Sequence, residues 1–127
     1  MNRQYNFIIE GWLTNLFKGP TAKNLEEAKS LYIKAAMEYG RLGMQGSWIN
    51  ARMEHFTNVI NKYPNTKSII VPLLKRIQAI GEVDNFTDYA CVIVGFCEIN
   101  LRLFKKFGSI YCDKGFKHMV SELEANM

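Results

Sequence analysis

The chain has 127 residues, of which 48% are hydrophobic and 22% charged, and its formal net charge is +4. This size and composition predict a single folded domain spanning residues 1–127, and they exclude an intrinsically disordered chain, which would combine few apolar residues with a high net charge. The start of the chain is polar from Met1 to Asn6 and lacks the pattern of a secretory signal, so we expect a cytoplasmic protein.

Apolar residues at helical spacing predict the first two helices. The first stripe runs from Tyr5 to Phe17. Gly19 and Pro20 end it, because glycine suits the left-handed helix terminus and proline does not continue the hydrogen-bond ladder. The second stripe runs from Leu25 to Leu42, and Asn24 is its predicted N-cap.

Two further helices are predicted in the middle of the chain. The third follows Ser47, a favourable N-cap residue, and extends from Trp48 to Tyr63, where a proline stops it. The fourth extends from Ile69 to Ile80 and contains Pro72, which is tolerated best near the first turn of a helix.

The most apolar segment predicts a central helix over approximately residues 88–107, capped by Thr87 or Asp88. A last helix carries apolar residues from Phe116 to Leu123, with Asp113 as its predicted N-cap. No pair of alternating segments joined by a hairpin turn is present, so a sheet is not expected. The predicted fold is therefore all-α, a compact bundle of about six helices around the central apolar one.

The apolar run of the central helix also indicates whether the chain can span a membrane and whether its cysteines are buried. It spans only Tyr89 to Cys97 before charged residues interrupt it, whereas a membrane-spanning helix needs about 20 apolar residues. We therefore expect no membrane association. Cys91 and Cys97 lie within this run and are expected to be buried, reduced thiols, while Cys112 lies in a polar stretch and is expected to be the accessible one.

No group of residues predicts catalysis. Only two histidines are present, and His118 with Glu122 forms one pair at i, i+4 spacing that is typical of a solvated helix face. Nucleophile motifs and glycine-rich phosphate-binding loops are missing from the sequence. We therefore expect a protein that is not an enzyme and has neither a cofactor nor a metal ion.

Acidic residues between the helices and near the end of the chain are the first candidates for a binding surface. Carboxylates can occupy the basic surface with which a nuclease holds nucleic acid, and can thereby neutralise it. This pattern favours a cytosolic inhibitor or immunity-type protein, expected in bacteria, that binds one protein partner such as a toxin. The candidate partner-binding residues are Glu82, Asp84, Asp88, Glu122 and Glu124.

Basic residues support an alternative function in nucleic-acid binding, as in a small ribonucleoprotein subunit or a phage regulator. They are concentrated in the middle third of the chain and again near the end of the central helix. Against this alternative, their density is ordinary for a protein surface, and the predicted interhelical loops are too long for a helix-turn-helix motif. The candidate residues are Arg52, Lys62, Lys67, Lys75, Arg76, Arg102, Lys105 and Lys106.

Overall fold

The structure is a computed structural model that describes residues 22–125, and the all-α prediction is confirmed there. This range contains two short 3-10 turns, Pro64–Thr66 and Ser109–Tyr111, and no strand. The first predicted helix, over residues 5–17, lies outside the described residues. The five α-helices of the described range are α1 (Ala22–Arg41), α2 (Gln45–Lys62), α3 (Lys67–Ile80), α4 (Phe86–Phe107) and α5 (Lys114–Ala125).

Helix α4 is the centre of the described bundle, as its apolar sequence predicted. It packs against α1, α2 and α3, and α5 packs mainly against α1. The side chains on one broad face of α4 are buried, including Val92, Phe96 and Leu103. Within residues 22–125, none of the helices combines the length and the apolarity that crossing a membrane requires.

The helix ends follow local sequence signals closely. Gly81 ends α3 at a φ of 76°, and Gly108 ends α4 at a φ of 83°. Both values lie in the left-handed region, which glycine enters without steric penalty. These two glycines therefore fix the points at which the chain turns back on itself.

The N-cap of α4 differs from the prediction of Thr87 or Asp88. The helix begins at Phe86, two residues before the predicted start, and Asn85 is its cap. The side-chain oxygen of Asn85 accepts a hydrogen bond from the backbone N–H of Asp88 at 2.8 Å. Asparagine in extended backbone geometry is among the best caps, so it begins the helix before either predicted residue is reached.

The starts of α1 and α2 also lie earlier than the predicted caps. Helix α1 begins at Ala22, so Asn24 lies inside it. Helix α2 begins at Gln45, and the preceding residue, Met44, makes no side-chain capping bond. Ser47 is therefore a helical residue and not the cap, because the chain is already helical two residues before it.

Candidate binding sites

A buried polar cluster joins four of the five described helices. Asp113, whose side chain is 1% exposed, lies just before α5. Its Oδ2 accepts a hydrogen bond from the hydroxyl of Tyr32 on α1 at 2.6 Å and one from Nδ2 of Asn100 on α4 at 2.8 Å. Nε of Arg52 on α2 lies 3.7 Å from the same oxygen. We call these four residues the Asp113 cluster.

Asp113 is also the N-cap of α5, which confirms the predicted cap. Its Oδ1 accepts a hydrogen bond from the backbone N–H of Phe116 at 3.0 Å. The backbone N–H of Asp113 in turn donates to Oδ1 of Asn100 at 2.8 Å. One carboxylate therefore starts a helix and anchors that helix to the central one.

The Tyr32 hydroxyl stays neutral within this cluster. Burial is the main cause that raises the pKa of Tyr32 far above its ordinary value, and the negative charge of Asp113 raises it further. A neutral hydroxyl is a hydrogen-bond donor, which is what the adjacent carboxylate needs. The cluster therefore has the chemistry of a structural anchor, in which each polar group satisfies another.

An open cavity of about 410 Å³ lies beside the Asp113 cluster, between α1, α2 and α5. Three tyrosine or tryptophan rings, one histidine ring, one arginine and one lysine contribute to its walls. We call it the aromatic cavity. Its lining residues are Tyr32, Ala35, Ala36, Tyr39, Trp48, Arg52, Lys114, Gly115, His118 and Met119.

The connection between α1 and α2 and the connection between α3 and α4 meet at one end of the bundle. Gly40 and Gln45 flank the connection between α1 and α2, and both line a small cavity of about 200 Å³ together with Val83, Asp84 and Phe86. The α1–α2 connection and the α3–α4 connection therefore lie side by side.

This end of the bundle combines exposed apolar and acidic side chains. Phe86 is 70% exposed, and Leu42 and Met44 on the neighbouring connection are exposed as well. Glu82 and Asp84, on the α3–α4 connection, are exposed and make no ion pair with any residue in the range 22–125. We call these five residues the loop surface.

The other predicted acidic residues have different surroundings. Asp88 belongs to the N-terminal cap of α4, where its Oδ2 accepts a hydrogen bond from Nδ2 of Asn85 at 3.2 Å. Glu122 and Glu124 are exposed on α5, and Oε1 of Glu122 lies 3.7 Å from Nε2 of His118. The acidic candidates are therefore distributed over the α3–α4 connection, the start of α4 and the end of α5.

The predicted basic residues fall into two groups by their surroundings. Arg52 has a side chain only 17% exposed and directed at Asp113, within the cluster described above. The other seven are exposed. They are Lys62, Lys67, Lys75, Arg76, Arg102, Lys105 and Lys106.

Two of these exposed residues line one groove between α3 and α4. Arg76 and Arg102 border it together with apolar side chains such as Val94. The helices approach closely here, because a Cβ atom added at Gly95 would lie 2.7 Å from Cγ1 of Ile77. Glycine therefore lets α3 pack directly on the backbone of α4.

The structure corrects the expected exposure of two cysteines. Cys112, expected to be accessible, is fully buried, and Cys91, expected to be buried, is exposed. The thiol of Cys112 donates to the backbone oxygen of Asn100 at 3.3 Å, so it faces the central helix and not the solvent. Across residues 22–125, no three side chains of His, Cys, Asp or Glu are grouped closely enough to hold a metal ion.

We expect one fast-reacting thiol per native chain when the protein is treated with a disulfide reagent at about pH 8. Burial raises the pKa of both Cys97 and Cys112 to about 12, so both stay protonated and shielded at that pH. Exposed Cys91 reacts first, and all three react after denaturation. The variant Cys91→Ser is the control and should lose the fast phase. Fast reaction of two or more thiols in the native protein would contradict the burial described here.

Comparison with known proteins gives no family assignment. No family model matches the chain, and no curated protein or solved structure matches it significantly. The geometry of the loop surface, the aromatic cavity and the α3–α4 groove is therefore the basis for a functional proposal.

Proposed function

We propose that the chain is a non-catalytic binding protein of the inhibitor or immunity type, which captures one protein partner through the loop surface. The observation that carries this proposal is that Asp84 lines the same small cavity as the 70% exposed Phe86, and that neither Asp84 nor the exposed Glu82 makes an ion pair within residues 22–125. The partner is a protein with a lysine- and arginine-rich surface, such as a nuclease toxin.

Physical chemistry gives each part of this surface a separate role. Large apolar side chains at the centre of an interface supply most of the binding free energy when they enter a pocket of the partner. Carboxylates around them accelerate association with a basic partner and repel acidic ones. Phe86 with Leu42 fits the first role, and Glu82 with Asp84 fits the second.

A photo-crosslinking amino acid at position 86, introduced into the full chain in its native cells, tests the proposal. We expect one protein adduct, formed with a partner of basic surface. The matched control is the same crosslinker at Ile110, which is 62% exposed but lies on the 3-10 turn after α4. Equal adducts from positions 86 and 110 would show that the loop surface is not the binding site.

Charge reversal then tests the electrostatic part with the purified partner. The double variant Glu82→Lys, Asp84→Lys should weaken binding about 100-fold, because like charges facing each other across an interface cost several kcal/mol. Glu54→Lys, an exposed acidic position on α2, is the matched control and should leave the affinity unchanged. Unchanged affinity in the double variant would overturn the role of these carboxylates.

Nucleic-acid binding is the second candidate, and the observation that favours it is the shared groove of Arg76 and Arg102. Nε of Arg102 is already engaged with Glu98 at 2.7 Å, and much of the groove is apolar, which ranks this candidate second. Its test is fluorescence anisotropy with random-sequence RNA and duplex DNA at two salt concentrations. Tight binding that falls steeply with salt would support it and displace the first proposal.

A further inference from the structure

The aromatic cavity has the dimensions of a site for a small molecule. Its volume is about 410 Å³, and pockets for small ligands typically enclose about 300–1,000 Å³. Tyr32, Tyr39 and Trp48 contribute aromatic surface to it, and Trp48 is buried against the core. Such walls suit a flat, apolar ligand body, since stacked and edge-on ring contacts favour planar partners.

Contacts with core side chains fix the position of the Trp48 ring. Its ring contacts Tyr89 and Phe96 edge-on, at centroid distances of 6.1 and 5.6 Å. The ring of Tyr32 lies 5.9 Å from it, and the Tyr32 hydroxyl is fixed by Asp113. Two of the three aromatic walls are therefore rigid before any ligand enters, which lowers the entropic cost of binding.

Arg52 supplies the cavity with a positive charge whose hydrogen-bond donors are unused. Its guanidinium carbon lies 5.1 Å from the centre of the Trp48 ring, and its Nε faces Asp113 at 3.7 Å, beyond hydrogen-bond distance. Nε is buried and has no hydrogen-bond partner, and no hydrogen bond joins Arg52 to another residue of the described range. A guanidinium carries five N–H donors, and those on its two terminal nitrogens are the ones that a ligand anion in the cavity would bind.

Asp113 is the counter-charge of Arg52, but it accepts no hydrogen bond from the guanidinium. Its two oxygens already accept hydrogen bonds from Tyr32, Asn100 and the backbone of Phe116, and it is 1% exposed, behind the cavity wall. The cavity lining itself contains Arg52 and Lys114 and no carboxylate. Asp113 balances the charge of Arg52, whereas Lys114 makes no ion pair within residues 22–125 and favours an anion at the lining.

We propose that the aromatic cavity binds a small aromatic acid, with its ring against Trp48 and Tyr39 and its carboxylate paired with Arg52 and Lys114. Arginine suits this role because its planar fork matches the two oxygens of a carboxylate. The site uses none of the residues of the loop surface, so it goes beyond the proposed capture of a protein partner.

Isothermal titration calorimetry of the full chain with matched probes tests this site. The probes are 2-naphthoate, its neutral isostere 2-naphthamide, and inorganic phosphate. We expect naphthoate to bind at least about 10-fold more tightly than naphthamide, since hydrogen bonds between charged groups are stronger than those to a neutral amide. Phosphate, which has no ring, should bind more weakly than naphthoate. Equal affinities of acid and amide, or no heat from naphthoate at millimolar concentration, would overturn the proposal. Tighter binding of phosphate would overturn the role of the aromatic walls.

Two variants locate the bound anion. Arg52→Gln should reduce naphthoate affinity about 10-fold while leaving naphthamide affinity unchanged. Lys114→Gln, at an exposed position that leaves the Asp113 cluster intact, should reduce it about 3-fold and serves as the deciding variant if Arg52→Gln does not fold. Lys117→Gln, exposed on α5 but outside the cavity lining, is the control. If Lys114→Gln and Arg52→Gln both bind naphthoate as tightly as the parent chain does, the assignment of the anion site is overturned.

Discussion

Replacing Asp113 with alanine is expected to lower the free energy of unfolding by about 3–5 kcal/mol, measured by urea denaturation. The reason is that one buried carboxylate serves four groups. Its loss leaves the Tyr32 hydroxyl without an acceptor, removes one of two acceptors of Asn100 Nδ2 and leaves Arg52 without its counter-charge. The backbone N–H of Phe116 at the start of α5 loses its cap as well.

The size of this loss in unfolding free energy shows whether Asp113 acts only as the N-cap of α5 or also holds the other helices of the cluster together. Loss of an N-cap alone costs about 0.5–2 kcal/mol. A larger loss requires that the buried partners of Asp113 are also left unsatisfied, because desolvated donors without acceptors are expensive. A total near the upper end would be a large part of the about 5–15 kcal/mol that stabilises a typical domain.

Two controls separate these contributions. Asp113→Asn keeps the shape and one acceptor oxygen but removes the charge, so we expect a smaller loss than for alanine. Asp84→Ala, at an exposed loop position, should change the free energy of unfolding by less than about 0.5 kcal/mol. If Asp113→Ala cost no more than Asp84→Ala, the cluster would not be holding the helices together.

The features that the sequence predicted well are those set by neighbouring residues. The ends of α3 and α4 at Gly81 and Gly108 depend on backbone conformations that glycine adopts easily, and the cap at Asp113 depends on a side chain three residues from its partner. Apolar spacing predicted α4 as the central helix for the same reason, since helical periodicity is a local property. All of these could be derived without knowledge of the tertiary fold.

The Asp113 cluster and the aromatic cavity could not be derived in this way, because their residues come together only in the folded chain. Tyr32 and Asp113 are 81 positions apart, and nothing in either neighbourhood indicates the other. The one local signal was Asn100, a polar residue on an apolar helix. Buried polar groups normally have hydrogen-bond partners, so this residue indicated a polar contact inside the bundle. Cys112 was predicted accessible from its polar neighbours, but the adjacent Asp113 is itself buried by the cluster.

Replacing Phe96 with alanine is expected to lower the free energy of unfolding by about 3–5 kcal/mol, again measured by urea denaturation. Phe96 is fully buried on α4. Its ring is stacked on Phe56 of α2 at 6.1 Å and meets Trp48 edge-on at 5.6 Å. Alanine would leave a cavity among rigid rings that collapse poorly into the vacated space, which places the cost in the range for large core truncations.

The same substitution at Phe86 is the matched control, because both phenylalanines belong to α4 and differ mainly in burial. Phe86 is 70% exposed, so Phe86→Ala should change the free energy of unfolding by less than about 0.5 kcal/mol. Equal losses at the two positions would contradict the packing described here. The contrast also bears on function, since Phe86→Ala should weaken partner capture in a stable protein. Phe96→Ala should weaken naphthoate binding instead, because it frees Trp48, a wall of the aromatic cavity, to move.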